Sequence, residues 1–300
     1  MISYAFYLGC VGPLRYPDIE NSIRLTLAEL GVELLDMEGA TCCPAPGAGF
    51  KNFDELAALT VSARNISIAE ELGLDVMTFC GGCQGSLNWA NKLLQSDPER
   101  KDRVNELLAD MDREYKGTAK IKHLVEVMNE DVGVDHIREI AAGRLEGFKV
   151  AVHYGCHVLR PYKVEELDDP EMPRMLDDLV EAWGAESLEF TEKHTCCGAG
   201  GGLFANDRDL SLSIMRKKMV QIKELGGDML VDICPFCHMQ FDLGQMQLRE
   251  KGEDFSIPVF YYNQVLALLM GFDRDQVAFI ENTPRDKIIE RILSTKMIEV

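Results

Sequence analysis

The chain has 300 residues, enough for one large domain or two ordinary ones. Hydrophobic residues make up 46% and charged residues 27%, the profile of a folded globular chain and not of a disordered one. Thirty-one Lys and Arg against fifty Asp and Glu leave a net charge of −19, which repels phosphate backbones and anionic lipid and argues against nucleic-acid and membrane-surface partners.

In chain order, Ala5 to Leu8 is a short apolar run that ends at Gly9-Cys10, as a buried parallel strand would. Val32 to Leu35 reads as a second strand and Asp54 to Leu72 as a helix. Val76 to Phe79 reads as a strand running into Cys80-x-x-Cys83, with a helix expected from Gln84. Asp97 to Lys120 is polar and reads as a helical insert or linker. The order then begins again. Val150 to Tyr154 and Ser187 to Phe190 read as strands and Asp207 to Leu225 as a helix capped by Asn206 or Asp207. Met229 to Ile233 is a strand running into Cys234-x-x-Cys237, with a helix expected from His238. Strands alternating with helices imply parallel sheets. The fold class expected is α/β: two duplicated domains, each a small, mainly parallel, Rossmann-like sheet flanked by helices and related by a pseudo-two-fold axis. The domains span 1–144, with the insert at about 97–120, and 145–300. No stretch approaches the roughly 18–20 apolar residues of a membrane helix; Val265 to Phe272 is the most apolar run, so no direct membrane insertion is expected. The N-terminus lacks the basic start and cleavage site of a signal peptide. The expected location is cytoplasmic, where thiols are kept reduced for metal or redox use.

The ten cysteines carry the strongest signal. Cys10, Cys42, Cys43, Cys80 and Cys83 form one set, and Cys156, Cys196, Cys197, Cys234 and Cys237 form the other, each a single Cys, a Cys-Cys pair and a Cys-x-x-Cys. Cys43 to Cys80 and Cys197 to Cys234 are both 37 positions, and Cys42 lies 154 positions before Cys196, as Cys83 does before Cys237. The surroundings repeat too: Tyr7-Leu8-Gly9-Cys10 matches His153-Tyr154-Gly155-Cys156, and Thr41-Cys42-Cys43 matches Thr195-Cys196-Cys197. This is an internal duplication whose period is too long for a solenoid. In open parallel sheets, sites form beyond the carboxyl ends of strands, where each set of five can converge. Disulfides, zinc in one or both repeats, a thioredoxin-like Cys-x-x-Cys and iron–sulfur centres are all compatible with the spacing. A four-iron cubane takes four cysteines, so five per set means a spare thiol or an unusual cluster.

This arrangement resembles the duplicated cysteine-rich CCG domain family, to which the B subunits of heterodisulfide reductases belong. Cys196-Cys197-Gly198 fits the family pattern to the letter, whereas Cys43 is followed by Pro44. The resemblance covers residues 1 to about 270. It implies two non-cubane [4Fe-4S] clusters, one per set of five cysteines, with zinc in one repeat as the alternative. It implies reduction of the mixed disulfide of coenzyme M and coenzyme B to two thiols, with the small-molecule disulfide lying between the clusters. The alternative activity is electron transfer in another oxidoreductase complex, of glycolate oxidase or lactate-utilisation type; a zinc or iron–sulfur scaffold is the third reading. No flavin or nicotinamide fingerprint and no Cys-x2-Cys-x2-Cys-x3-Cys run is found, so electrons are expected from an iron–sulfur subunit and a flavoprotein subunit of one complex, with a link to a hydrogenase or formate dehydrogenase.

His153, His157, His194 and His238 crowd the second set; His153 and His194 are the candidate proton or hydrogen-bond donors, against a plain packing role. An anionic substrate in so acidic a chain needs local positive charge. Arg15, Lys51, Arg160, Lys163 and Lys193 are the candidates, each weighed against a solvated surface charge. The runs Gly47 to Gly49 and Gly198 to Gly202 lack the Lys and Ser/Thr of a phosphate loop and suit close backbone approach to a cluster.

Overall fold

The computed structural model describes residues 2–44, 54–161, 163, 166–280 and 283–295. The first half runs β1 (Ile2–Tyr7), α1 (Val11–Arg15), α2 (Pro17–Glu29), β2 (Val32–Asp36), α3 (Glu55–Leu72), β3 (Val76–Thr78), α4 (Gly81–Ser96), α5 (Pro98–Ala109) and β4 (Ile121–His123). A helical run follows through Leu124–Glu126 and a π-wound Val127–Gly133 into α6 (Val134–Ala141). The second half runs β5 (Lys149–His153), α7 (Cys156–Leu159), α8 (Met175–Glu181), β6 (Glu186–Ser187), α9 (Leu203–Asn206), α10 (Arg208–Glu224), β7 (Met229–Asp232), α11 (Pro235–Glu250) and β8 (Val259–Tyr261). It closes with α12 (Tyr262–Leu269), α13 (Arg274–Val277) and α14 (Asp286–Ser294). No helix among the described residues is long and apolar enough to cross a membrane.

The strands form two four-stranded sheets, ordered β2-β1-β3-β4 and β6-β5-β7-β8, and each recorded pairing is parallel. This is the duplicated, Rossmann-like α/β fold expected. The alternation of strand side chains divides the core. Tyr4 and Phe6 of β1, with Val150 and Val152 of β5, join one apolar cluster that runs through both halves. Ala5 and Tyr7 turn to a cluster of the first half, and Ala151 to one of the second.

Helix ends follow local chemistry. Asp54 caps α3 by accepting from Ala57 N–H at 2.9 Å, and Gly73 ends that helix in the left-handed region. Asp207 caps α10 by accepting from Leu210 N–H at 3.0 Å. Three expectations need correction. The helices after each Cys-x-x-Cys begin at Gly81 and Pro235, not at Gln84 and His238, so Cys80 and Cys234 are themselves the N-cap residues. Pro235 suits that start because the first helical turn needs no N–H from it. The strand expected over 187–190 is only Glu186–Ser187, after which the chain leaves the sheet edge. The segment 97–120 is helical only over Pro98–Ala109 and lies within the first sheet's crossover from β3 to β4, with Val104, Leu108 and Tyr115 buried.

Buried polar contacts tie the halves together. Asn263 donates to Thr26 Oγ1 at 2.8 Å, Gln264 to Asp18 at 2.7 Å, and Tyr16 Oη to Asp242 at 3.1 Å. Tyr261 Oη donates to Phe79 O at 2.9 Å and lies 3.3 Å from Ile233 O. These carbonyls belong to the residues just before Cys80 and Cys234, so one hydroxyl bridges the ends of both central strands.

Candidate metal centre

Each cysteine stands at or just beyond the carboxyl end of a strand, or in the loop that leaves one. Cys10 directly precedes α1, and Cys156 opens α7. Cys80 and Cys234 are N-caps, and Cys83 and Cys237 lie one helical turn in, so both Cys-x-x-Cys pairs sit at helix N-termini, where free N–H groups favour negative sulfur. Cys43 and Cys83 Sγ are 3.2 Å apart, and Cys156 and Cys196 Sγ 4.0 Å. Gly198 N–H donates to Cys196 Sγ at 3.3 Å.

The two sets open into a single cleft of about 710 Å³, lined by nine of the ten cysteines; Cys196 is the exception. Cys80 and Cys234, equivalent residues of the two repeats, face each other across it with Sγ atoms 3.6 Å apart, which places the pseudo-two-fold axis in the cleft. Gly9, at φ +68°, passes so close to Cys83 that an added Cβ would lie 2.8 Å from Sγ. Gly85 of α4 would bring a Cβ to 3.2 Å from His157 Cβ, so that helix rests directly on the second half.

The thiols do not ionise independently: hydrogen bonds between them push some up and others down, and those with Cys237 and Cys156 lower Cys234 and Cys196. The hydrogen bond with Cys43, then that with Cys80 and burial, raise Cys83 well above the ordinary range. Cys197, then Cys234 and burial, do the same to Cys237. So many buried, mutually repelling thiolates need a multivalent cation to hold them deprotonated, and the donor set suits a thiolate-ligated metal or cluster. One compact group also includes a ring: a His153 nitrogen and the Cys197 and Cys237 Sγ atoms lie within 4.8 Å of one another.

The other sequence candidates scatter. Arg160 lines the cleft, but its guanidinium donates to Pro170 O at 2.7 Å and sits 3.3 Å from Glu171. Arg15 and Lys163 are exposed, and Lys51 lies outside the described residues. The expectation for Lys193 needs correction: its ammonium is buried at 2.5 Å from both Asp177 and Glu189, and it does not reach the cleft. His194 is likewise off the cleft wall, with its ring beside Tyr154 at 6.1 Å between centroids. His153 is fully buried behind the second set, and burial pushes it well below the ordinary imidazole value. His238 is buried too, between Asp232 and Arg285, each 3.0 Å away. The histidine on the cleft wall is His157, joined there by Ser86, Trp89 and Phe236. A signal for Ser86 and Trp89 was present: once α4 starts at Gly81, Gly82, Ser86 and Trp89 fall on one helical face.

The cysteine-rich domain model named CCG matches twice, at residues 4–88 and 150–242. The chain belongs to the CCG cysteine-rich domain family. It is 44% identical to the B subunit of the ferredoxin:CoB-CoM heterodisulfide reductase of Methanosarcina mazei, over 94% of either chain. It is 30% identical to the 8-methylmenaquinol:fumarate reductase membrane anchor subunit of Wolinella succinogenes, over 93% of this chain and 96% of that one. Among solved structures, a hypothetical protein from Helicobacter pylori superposes with a TM-score of 0.72 at 17% identity, covering 92% of this chain and half of the other, a likeness of fold. The duplicated cysteine framework is thus a CCG pair, as the spacing suggested.

Proposed function

We propose that this chain is the disulfide-reducing subunit of a heterodisulfide reductase, acting on the mixed disulfide of coenzyme M and coenzyme B. The observation that carries this reading is the single cleft into which both cysteine sets open, with Cys80 and Cys234 3.6 Å apart at its centre. The close likeness to a heterodisulfide reductase B subunit supports the substrate. Cys10, Cys42, Cys43, Cys80 and Cys83 would hold one non-cubane [4Fe-4S] cluster, and Cys156, Cys196, Cys197, Cys234 and Cys237 the other. When bound, the clusters supply electrons one at a time. Two electrons and two protons turn one disulfide into two thiols, and a disulfide laid across the axis presents one sulfur to each set.

The chain's own residues shape the rest. Trp89, Phe236 and Pro161 give the cleft apolar walls that take up the alkyl carbons beside the disulfide and exclude water. His157 stands at the wall, and Arg160 at the same cleft carries the charge an anionic substrate needs. Electrons reach the cleft from an iron–sulfur subunit and a flavoprotein subunit of the same complex, with a hydrogenase or formate dehydrogenase as a further link; the complex works in the cytoplasm. Domain limits at 1–144 and 145–300 would separate the two half-sites.

The test is anaerobic turnover of the heterodisulfide with a reduced low-potential dye. Replacing Cys83 or Cys237 with Ser should each bring the rate near background, and the double change should cost little more, because the halves act as a unit. A single variant that loses one centre, keeps the other and turns over at close to the full rate would refute the shared cleft. The similarity to a fumarate reductase subunit favours a second reading, electron transfer to an acceptor other than a disulfide. In that case the protein would carry iron and accept electrons yet leave the heterodisulfide intact. Zinc in place of iron in one repeat would remove both readings for that half.

A further inference from the structure

The two repeats place different groups at one matched position behind the cysteines. In the second, Lys218 of α10 is fully buried. Its ammonium lies 3.1 Å from His153 Nδ1 and donates to Lys193 O at 2.8 Å and Thr195 O at 3.2 Å. Among the described residues no carboxylate pairs with it within 4.0 Å. Since a lysine only donates, Nδ1 must accept and the ring hydrogen sits on Nε2, which is buried without a partner. That ring belongs to the compact group with Cys197 and Cys237. Phe241, edge-on at 4.8 Å between centroids, holds the ring in place.

In the first repeat Tyr7 takes the strand position of His153, three residues before its cysteine, and Asn65 takes the place of Lys218. Asn65 and Lys218 each lie eleven positions after the aspartate that caps their helix, Asp54 and Asp207. The contacts match as well: Asn65 Nδ2 lies 3.3 Å from both Tyr7 Oη and Thr41 O, as Lys218 lies on His153 and Thr195 O. The architecture is conserved between the halves, but one carries a neutral amide–phenol pair and the other a buried cation on an imidazole.

An unpaired cation in a low-dielectric interior is expensive to bury unless nearby negative charge compensates it. Here the compensating charge is the second thiolate set. We propose that Lys218, acting through His153, is a positioning residue that makes a centre held by Cys156, Cys196, Cys197, Cys234 and Cys237 easier to reduce than one held by the first five cysteines. This rests on the reading that an iron centre occupies each set. Burial lowers Lys218 to about 8, and negative charge at Cys197 and Cys237 opposes that shift. The added electron is stabilised by a fixed positive charge carried through a ring that lies within 4.8 Å of the Cys197 and Cys237 sulfurs, and nearby positive charge raises such potentials. Electrons entering the duplicated site would therefore settle first on the second half.

The experiment uses the anaerobically purified full chain, with iron and sulfide counted and each centre's reduction followed by EPR during a potentiometric titration. Wild-type protein should show two separated one-electron steps. Lys218→Gln keeps hydrogen-bond donors and removes the charge, so it should lower the upper step by at least tenfold in its equilibrium, about 59 mV, at unchanged iron content. Tyr7→His combined with Asn65→Lys transplants the pair into the first repeat and should raise the lower step. An unmoved upper step in Lys218→Gln with full iron overturns the proposal. If that variant loses iron, the transplant decides, and an unmoved lower step overturns it. Wild-type protein carrying zinc and no iron would instead fell the functional reading, a result visible in the metal count before any potential is measured.

Discussion

Tyr261→Phe tests the idea that one hydroxyl holds the two half-sites in register. The ring is fully buried and meets Phe79 edge-on at 6.2 Å between centroids, so the change opens no cavity and removes only the oxygen. That oxygen donates to Phe79 O at 2.9 Å and lies 3.3 Å from Ile233 O. A buried hydrogen bond contributes about 1 kcal/mol net, but removing one partner and stranding the other in the interior costs about 1–3 kcal/mol. We expect a loss of about 2 kcal/mol, a shift of roughly thirtyfold in the folded-to-unfolded ratio. For a chain of this size that is a fall of a few degrees in Tm, on the order of 2–4 °C per kcal/mol. Denaturant unfolding of anaerobic protein, read by far-UV circular dichroism, measures it. The substitution should also slow heterodisulfide turnover, because Phe79 and Ile233 carry Cys80 and Cys234. Stability within about 0.3 kcal/mol of wild type would refute the bridging role.

The remaining predictions concern other parts of the molecule. Gly9→Ala should deplete iron from the first set alone, since the residue sits at φ +68°, costing about 1–2 kcal/mol, and its Cβ would lie 2.8 Å from Cys83 Sγ; counted iron per chain checks this. Lys193→Met should change the substrate KM little, because the ammonium lies away from the cleft, yet lower stability by about 3–5 kcal/mol by stranding the buried Asp177 carboxylate; kinetics beside a melting curve separates the two effects. Burial holds the Glu126 carboxyl up at about 7, and Lys122, 3.7 Å away and also bound to Asp131 at 3.1 Å, opposes that shift only in part. The folded chain therefore binds more protons than the unfolded one between the ordinary value of 4.5 and 7, and this contribution is lost as pH rises through 7. Glu126→Gln should remove up to about 3 kcal/mol of that pH dependence, seen as flatter unfolding midpoints between pH 5 and 8.

The fold was legible because repetition and strand periodicity agree. Apolar runs such as Ala5 to Leu8 end at Gly-Cys in both halves, so the strands, their parallel order and the sites at their carboxyl ends follow from one argument. Helix starts were less legible. Gly81-Gly82 and Pro235-Phe236 look like loop, but N-terminal helix positions tolerate Pro and do not use the N–H groups that an interior position needs. Lys193 and His194 fall away from the cleft for another reason. Lys193 stands close to Cys196 in sequence, but it lies in a turn, its N–H on Phe190 O at 3.1 Å, and its ammonium meets the buried Asp177 instead. His194, the next residue, is carried beside Tyr154 and away from the cleft. His157 reaches the cleft because α7 begins at Cys156 and its first turn lies against Gly85 of α4, a contact between halves that no local pattern encodes.

Duplication explains why the cleft exists at all. A single CCG unit ends its strands in an open half-site, with the Cys-x-x-Cys helix N-terminus exposed. Placing two units about one axis brings equivalent residues together, and the residues nearest the axis must tolerate their own image. Cysteine at positions 80 and 234 does so at 3.6 Å. Residues farther from the axis are free to differ, because each meets only its own half. Tyr7 with Asn65 and His153 with Lys218 occupy such positions, and there the repeats diverge in charge while keeping their backbone contacts. On the proposed function the bond to be broken is itself asymmetric, since the two sulfurs of a mixed disulfide carry different substituents. A cleft with symmetric reach and unsymmetric electrostatics can take that bond in one orientation, giving each sulfur a different half-site and each electron a preferred order of arrival.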